Sequence, residues 1–181
     1  MKFLYFLAVF ILISGCRSTP DSTNFDLDRA NLKDSPNIGI NVQPRFSSTL
    51  PSSTKMIFYF QGNEVKYDMF NNWAQTPQDL LARYIMLYFN NPEKPIEQTV
   101  AKGCTINGTI YDFECDTNTS EVVFTIGITV VDSNENVLMS KLYTSKTKLE
   151  KLTASDFAIA MSKAVNDVLK QVYNDIKNLK K

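Results

Sequence analysis

Between residues 120 and 131, Val122, Phe124, Ile126, Ile128 and Val130 stand at every second position. A β-strand places such a set on one face and the intervening residues on the other, so this is a half-buried strand. The end of the chain carries the complementary pattern. From about 154 to 178, Phe157, Met161, Val165, Val168, Val172, Ile176 and Leu179 recur every three or four residues, the apolar stripe of an amphipathic helix. A stripe of that length needs a sheet or a partner to cover it. Thr153 and Asp156 form a capping-box-like start, with Asp in place of Glu. Lys163, Lys170 and Lys177 mark the helix's other side, where Lys163 and Asp167 have the spacing of an i,i+4 pair.

The strand at 120–131 pairs with one at 105–115 through the connection Asp116-Thr117-Asn118-Thr119. On that earlier strand the apolar set slips from Ile106 and Ile110 to Tyr111 and Phe113, a change of parity that predicts a β-bulge near Gly108–Tyr111. Residues 132–136 turn the chain into a further strand at about 137–147. Upstream, Ile38, Ile40 and Val42 alternate with polar residues up to Pro44, and 45–54 reads as a loop rich in Ser, Thr and Pro. Met56 to Phe60 is apolar on both faces, as in a central strand. With Gly62-Asn63 and the alternation of Val65 and Tyr67, it predicts a hairpin over 56–67. Thr76-Pro77 opens a helix, with the threonine as cap and Asp79 in its first turn. Leu80, Leu81, Tyr84, Ile85 and Tyr88 form its apolar face, and Asn90-Asn91-Pro92 ends it.

The N-terminus sets the compartment. Lys2 precedes a mostly apolar run from Phe3 to Ile13, followed by Ser14-Gly15-Cys16. One positive charge, a short apolar segment and small residues before a cut site describe a secretory signal peptide. The run is shorter than the roughly 17–25 apolar residues a spanning helix needs. Ile13-Ser14-Gly15-Cys16 matches a bacterial lipobox. Small side chains admit the peptidase, and the Cys16 thiol takes a diacylglycerol thioether and becomes the mature N-terminus. Acylation with several chains passes the two-signal threshold for stable anchoring. By resemblance to lipoproteins of two-membrane bacteria, Arg17 in place of Asp favours sorting to the outer membrane.

The expected organisation is therefore a signal peptide at 1–15, the lipidated cysteine and a polar tether at 16–36, and a single domain at 37–181. Phe25 and Leu27 interrupt the tether with a short alternation suited to a first edge strand. Cys104 and Cys115, eleven positions apart on one strand, are expected to face opposite ways and to stay unbridged, since an extended chain separates them by roughly 36 Å.

Composition narrows the chemistry. The chain has no histidine, which removes Ser-His-Asp triads, Cys-His pairs and histidine metal sites. Nineteen basic residues balance nineteen acidic ones, so no global field points to nucleic acid. Asp112, Glu114, Asp116 and Glu121 cluster around a turn. The calcium-loop pattern needs Gly sixth and Glu twelfth, and counting from Asp112 those places hold Thr117 and Val123. The cluster reads as a solvated strand end. A hydrolase would have only Asp112 and Glu114 as its carboxylate pair. No phosphate loop, dinucleotide fingerprint or nucleophile elbow occurs. The two sequons at Asn107 and Asn118 are incidental in a bacterial chain. Residues 141–181 hold nine basic and four acidic residues, a solvated helix and strand face. No catalytic, metal or cofactor residue is assigned, and the one assigned site is the lipidation site, Cys16.

The sequence also resembles a known family. The residues that carry the resemblance are the lipobox, Leu50-Pro51 before an apolar strand, Gln61-Gly62-Asn63-Glu64-Val65-Lys66-Tyr67, and Asn72-Trp73-Ala74-Gln75-Thr76-Pro77 leading into a helix at Leu80-Leu81. Gly108, Phe113-Glu114, a strand ending in Val131-Asp132 and a long final helix follow. This order resembles the ABC-type transport auxiliary lipoprotein component family, although Asn72 stands where members often carry Arg. The resemblance implies an α+β fold: a single mixed, largely antiparallel sheet with two main α-helices on one face, similar to the N-terminal domain of TolB.

It also implies a role without catalysis. A membrane-anchored auxiliary lipoprotein would dock an ABC/MCE-type transport assembly at the outer membrane, on its periplasmic side, for traffic of phospholipid or other apolar cargo. Its partners would be an MCE-domain periplasmic protein and that protein's ABC permease and ATPase. A ring-shaped homo-oligomer is compatible with the resemblance alone. The alternative is a periplasmic lipid-binding or lipid-carrier lipoprotein acting without a transporter.

Overall fold

The structure, a computed structural model, describes residues 21–179. Its centre is the pair of long strands β6 (Thr105–Asp116) and β7 (Glu121–Val131), joined antiparallel along their full lengths. All five alternating apolar residues of β7 are buried. β8 (Val137–Lys148) extends the sheet beyond β7. The other edge of β6 is shared by three pieces that run parallel to it. β2 (Asn41–Val42) pairs at Thr105–Ile106, β3 (Ser47–Ser48) at Thr109–Ile110, and β4 (Lys55–Phe60) at Cys115–Asp116. β5 (Glu64–Trp73) folds back antiparallel on β4, and β1 (Thr23–Phe25) pairs with the end of β5. The result is one mixed sheet of eight strands in the order β1-β5-β4-β6-β7-β8, with β2 and β3 beside β4. Its long ladders are antiparallel and its parallel contacts are short.

Helix α1 (Pro77–Phe89) and helix α2 (Ala154–Lys177) bury their stripes in a single core with the sheet. Phe157, Met161, Val165, Val168, Val172 and Ile176 of α2 are all buried, as are Leu80, Leu81, Tyr84, Ile85 and Tyr88 of α1. The α+β architecture with two helices on a mixed sheet is therefore as the sequence suggests. The α2 cap is as expected too. The Asp156 amide donates to Thr153 Oγ1 at 3.1 Å, while that hydroxyl donates to Asp156 Oδ2 at 2.6 Å. At α1 the threonine acts differently. Thr76 accepts no backbone amide on its side chain, and its hydroxyl donates to Asp79 Oδ2 at 2.6 Å.

The predicted bulge is present. Ile110 pairs with Ile126 and Asp112 with Thr125, which leaves Tyr111 without a partner on β7. The extra residue reverses the parity of β6, so that Ile106 and Ile110 before it and Phe113 and Cys115 after it all lie in the core. This corrects the expectation for the cysteines. The odd separation between Cys104 and Cys115 does not put them on opposite faces, because the bulge falls between them. Both are buried and both are free thiols.

Three further expectations change. The strand expected over Ile38–Val42 shrinks to β2, because Gly39 takes φ +62°, outside extended geometry. The loop at 45–54 contains β3 and places Phe46 over the sheet. There a Cβ on Gly108 would meet the Phe46 ring at 2.5 Å. On α2, Asp167 pairs with Lys170 at 3.7 Å rather than with Lys163.

The segment expected as tether is largely part of the fold. Beyond β1, Leu27 and Ser35 are buried, and Arg29–Leu32 form a 3-10 turn. Asp26 accepts from Arg83 of α1 at 2.6 Å. The Tyr84 hydroxyl donates to the Asp28 carbonyl at 3.0 Å, and the Asp28 amide donates to Ser162 Oγ of α2 at 3.0 Å. Residues 23–35 thus form a strap fastened to both helices, and the domain begins well before residue 37.

Candidate functional site

The only site assigned from the sequence, Cys16, lies outside the described residues. What the structure supplies is the surface to which that residue connects. Two parts of the surface stand out, the outward face of the sheet and the free edge of β5.

The outward face is a field of small polar side chains. Thr125 on β7 shares a hydrogen bond with Thr144 on β8 at 3.1 Å, and Thr129 with Ser140 at 3.2 Å. A shallow groove of about 320 Å³ runs across it, lined by Asn107, Thr109, Tyr111, Thr129, Ser140 and Leu142. Tyr111 and Leu142 on this face are exposed. The bulge turns Asp112 and Glu114 outward here, with Asp116 in line and Glu121 opposite Asp116. Burial, then Asp112 and Asp116, push the Glu114 carboxyl up to about 7. The Asp116 carboxyl is held below its usual range, chiefly by the amide of Asn118. Burial, then Glu114 and Asp112, raise the neighbouring Tyr59 hydroxyl. The four acidic residues therefore stand around one strand end, as the sequence indicates. Among the described residues no group of three or more His, Cys, Asp or Glu is placed to hold a metal ion.

The β5 edge is apolar. β1 covers only Asn71–Trp73, which leaves the earlier part of β5 unpaired on that side among the described residues. Val65, Tyr67, Met69 and Phe70 are all exposed, and Met69 at 76% is the most exposed large apolar side chain described. A turn holds the last two. Asp68 Oδ1 accepts from the amides of Phe70 and Asn71 at 2.9 and 2.8 Å, and its Oδ2 accepts from the Asn71 side chain at 2.9 Å. Lys55 Nζ donates to the Met69 carbonyl at 2.9 Å. These bonds shift the register between β4 and β5 and hold Met69 and Phe70 in a fixed protrusion. Sequence alternation through Val65 and Tyr67 signalled the strand but not its exposure, because an edge strand and a central one share that pattern.

Trp73 connects this edge to the core. It is 1% exposed, with ring centroids 4.9 Å from Phe113 and 5.4 Å from Phe157. Its amide donates to the Thr54 carbonyl at 2.6 Å, and the next amide, of Ala74, donates to the Phe25 carbonyl at 2.7 Å. The tryptophan at the heart of the sequence motif is thus a packing residue that joins β5, β6 and α2.

The chain is similar in fold to solved structures. One is a crystal structure of an uncharacterized protein, with a TM-score of 0.65 at 9% identity over 86% of this chain and 99% of that one. Another is that of protein XCC0632 from Xanthomonas campestris, of the DUF330 family, with a TM-score of 0.59 at 13% identity over 87% of this chain and 86% of that one. No family model matches the sequence, and neither does any curated protein. At these identities the likeness is one of fold.

Proposed function

We propose that this chain is an outer-membrane lipoprotein, anchored through Cys16, that serves as the auxiliary docking component of an ABC/MCE-type transporter of apolar cargo. The observation that carries the proposal is the lipobox Ile13-Ser14-Gly15-Cys16, whose cysteine stands seven residues before the first strand of the domain at Thr23. An acylated cysteine confines the domain to a membrane surface, which raises its effective concentration toward partners there. The outward face of the sheet offers an area for contact on the domain itself. Likeness in fold to a DUF330 protein supports a shared architecture. The transporter role draws on the resemblance of the sequence to auxiliary lipoproteins.

The test is crosslinking in cells that express the chain together with an MCE-domain protein and its permease and ATPase. The proposal expects the lipoprotein and the MCE-domain protein to be recovered together, and a Cys16→Ser chain to lose most of that yield. Recovery of the lipoprotein alone, with a control pair crosslinked in the same cells, contradicts it.

A further inference from the structure

The first residue paired into the sheet is Thr23, seven residues after Cys16. Seven residues reach at most about 25 Å even when fully extended. A domain of this size has a radius of gyration of about 15 Å and is roughly 40 Å across. A leash shorter than the domain's width limits how far the domain can turn away from its anchor. The side of the domain that carries Thr23 is held toward whatever Cys16 is fixed to.

That surface is the β5 edge. β1 runs parallel to β5 with Thr23 opposite Asn71. Asn71 follows directly on Met69 and Phe70 in β5, so the start of β1 lies close to the most exposed large apolar side chain described. The polar turn at Asp68 and the bond from Lys55 hold these side chains outward, so the protrusion is built rather than frayed. The flanking charges are balanced, with Glu64 and Lys66 paired at 3.2 Å. Such a patch has apolar groups to sink beneath a headgroup layer.

We propose that Val65, Tyr67, Met69 and Phe70 form a membrane-contact face that rests in the lipid headgroup layer and holds the domain in one orientation on the bilayer. This rests on the lipidation of Cys16 proposed above. The acyl chains hold the protein on the membrane, and the β5 edge decides which way it faces. Val65 and Tyr67 stand opposite Tyr59 and Ile57 on the outward side of the sheet, so the half of that face toward β8 is what stands off the membrane, open to a partner.

The experiment uses the full chain, expressed and processed in cells, and placed in vesicles of phosphatidylethanolamine and phosphatidylglycerol that carry nitroxide lipids. An environment-sensitive fluorophore is attached at Met69→Cys. The control label is at Leu142→Cys on β8, an exposed apolar position at the opposite edge of the sheet. Cys104 and Cys115 are buried and stay unlabelled in the folded chain. Palmitate incorporation is read on the same preparation. The inference expects acylated protein whose Met69 label loses about half its emission to the nitroxide lipids, with the Leu142 label almost unaffected. Acylated protein with both labels equally unquenched overturns the membrane-contact face and leaves the anchor standing. A Met69 label shielded from water but untouched by the nitroxide, in a chain that crosslinks to a second copy, assigns the edge to self-association and also overturns it. Protein without palmitate removes the anchor and the inference together.

Discussion

The hydroxyl of Tyr143 on β8 donates to Asp175 Oδ2 on α2 at 2.6 Å, and Lys141 Nζ reaches the same oxygen at 2.7 Å. One carboxylate oxygen thus ties the last strand of the sheet to the last helix. Without these two bonds, no side-chain hydrogen bond among the described residues would join β8 to α2.

Removing the Tyr143 bond is expected to destabilise the domain measurably. Tyr143→Phe keeps the ring, which is 2% exposed, and deletes only the donor. The expected loss is about 1 kcal/mol, read from urea unfolding. Asp175→Asn is expected to cost at least as much, and the double variant less than the sum, because both changes break the same contact. Bonds from Lys141 and Tyr143 hold the Asp175 carboxyl below its usual range. Its contribution is therefore present above the unfolded value of about 3.9 and fades as the pH falls through the lowered native value. Additive losses in the double variant contradict this account.

The Glu114 carboxyl gives the chain one titration near neutrality. Burial and its acidic neighbours raise it to about 7. A carboxyl raised on folding favours the native state while protonated, so stability declines as the pH climbs from about 4.3 through about 7. The chain has no histidine to titrate across the same window. The urea midpoint is expected to be lower at pH 8 than at pH 5. Glu114→Gln is expected to flatten that change and raise the pH 8 midpoint. A wild-type midpoint that rises over this window contradicts the assignment.

Gly108 is expected to tolerate no side chain without a shift of Phe46. Gly108→Ala places its Cβ 2.5 Å from a ring that is itself 3% exposed. Overpacking of this kind costs about 1–3 kcal/mol. A companion change, Phe46→Leu, opens the space and is expected to recover part of the loss, as read by thermal unfolding. Equal stability of Gly108→Ala and the wild type contradicts the close approach.

Trp73 is the only tryptophan, so its emission reports the core directly. Its burial between Phe113 and Phe157 predicts blue-shifted emission in the native state and a red shift on unfolding. Trp73→Ala is expected to cost about 3–5 kcal/mol, measured by circular dichroism in urea. A cost under about 1 kcal/mol contradicts the packing role.

Long elements were legible in the sequence and short ones were not. The alternation in β7, the stripe of α2 and the parity slip at Tyr111 each have many residues behind one period, and the structure has all three. β2 and β3 hold two residues each, too few to carry a period. Their places are set by β6, which lends its edge to them. The strap over residues 23–35 was hidden for a different reason. Its composition is polar, as in a linker, and its attachment comes from single long-range bonds such as Asp26 to Arg83 and Tyr84 to Asp28. The acidic cluster was visible as residues, but the raised Glu114 depends on burial and on the outward turn after the bulge. The apolar β5 edge was hidden because exposure is a property of the strand order rather than of the strand.

The central claim is that this domain works at a membrane through an acylated Cys16, and metabolic labelling with palmitate tests it most directly. The account predicts label in the mature wild-type protein and none in Cys16→Ser, with the mature form beginning at residue 16. A wild-type protein that is cleaved and exported yet carries no label would contradict it.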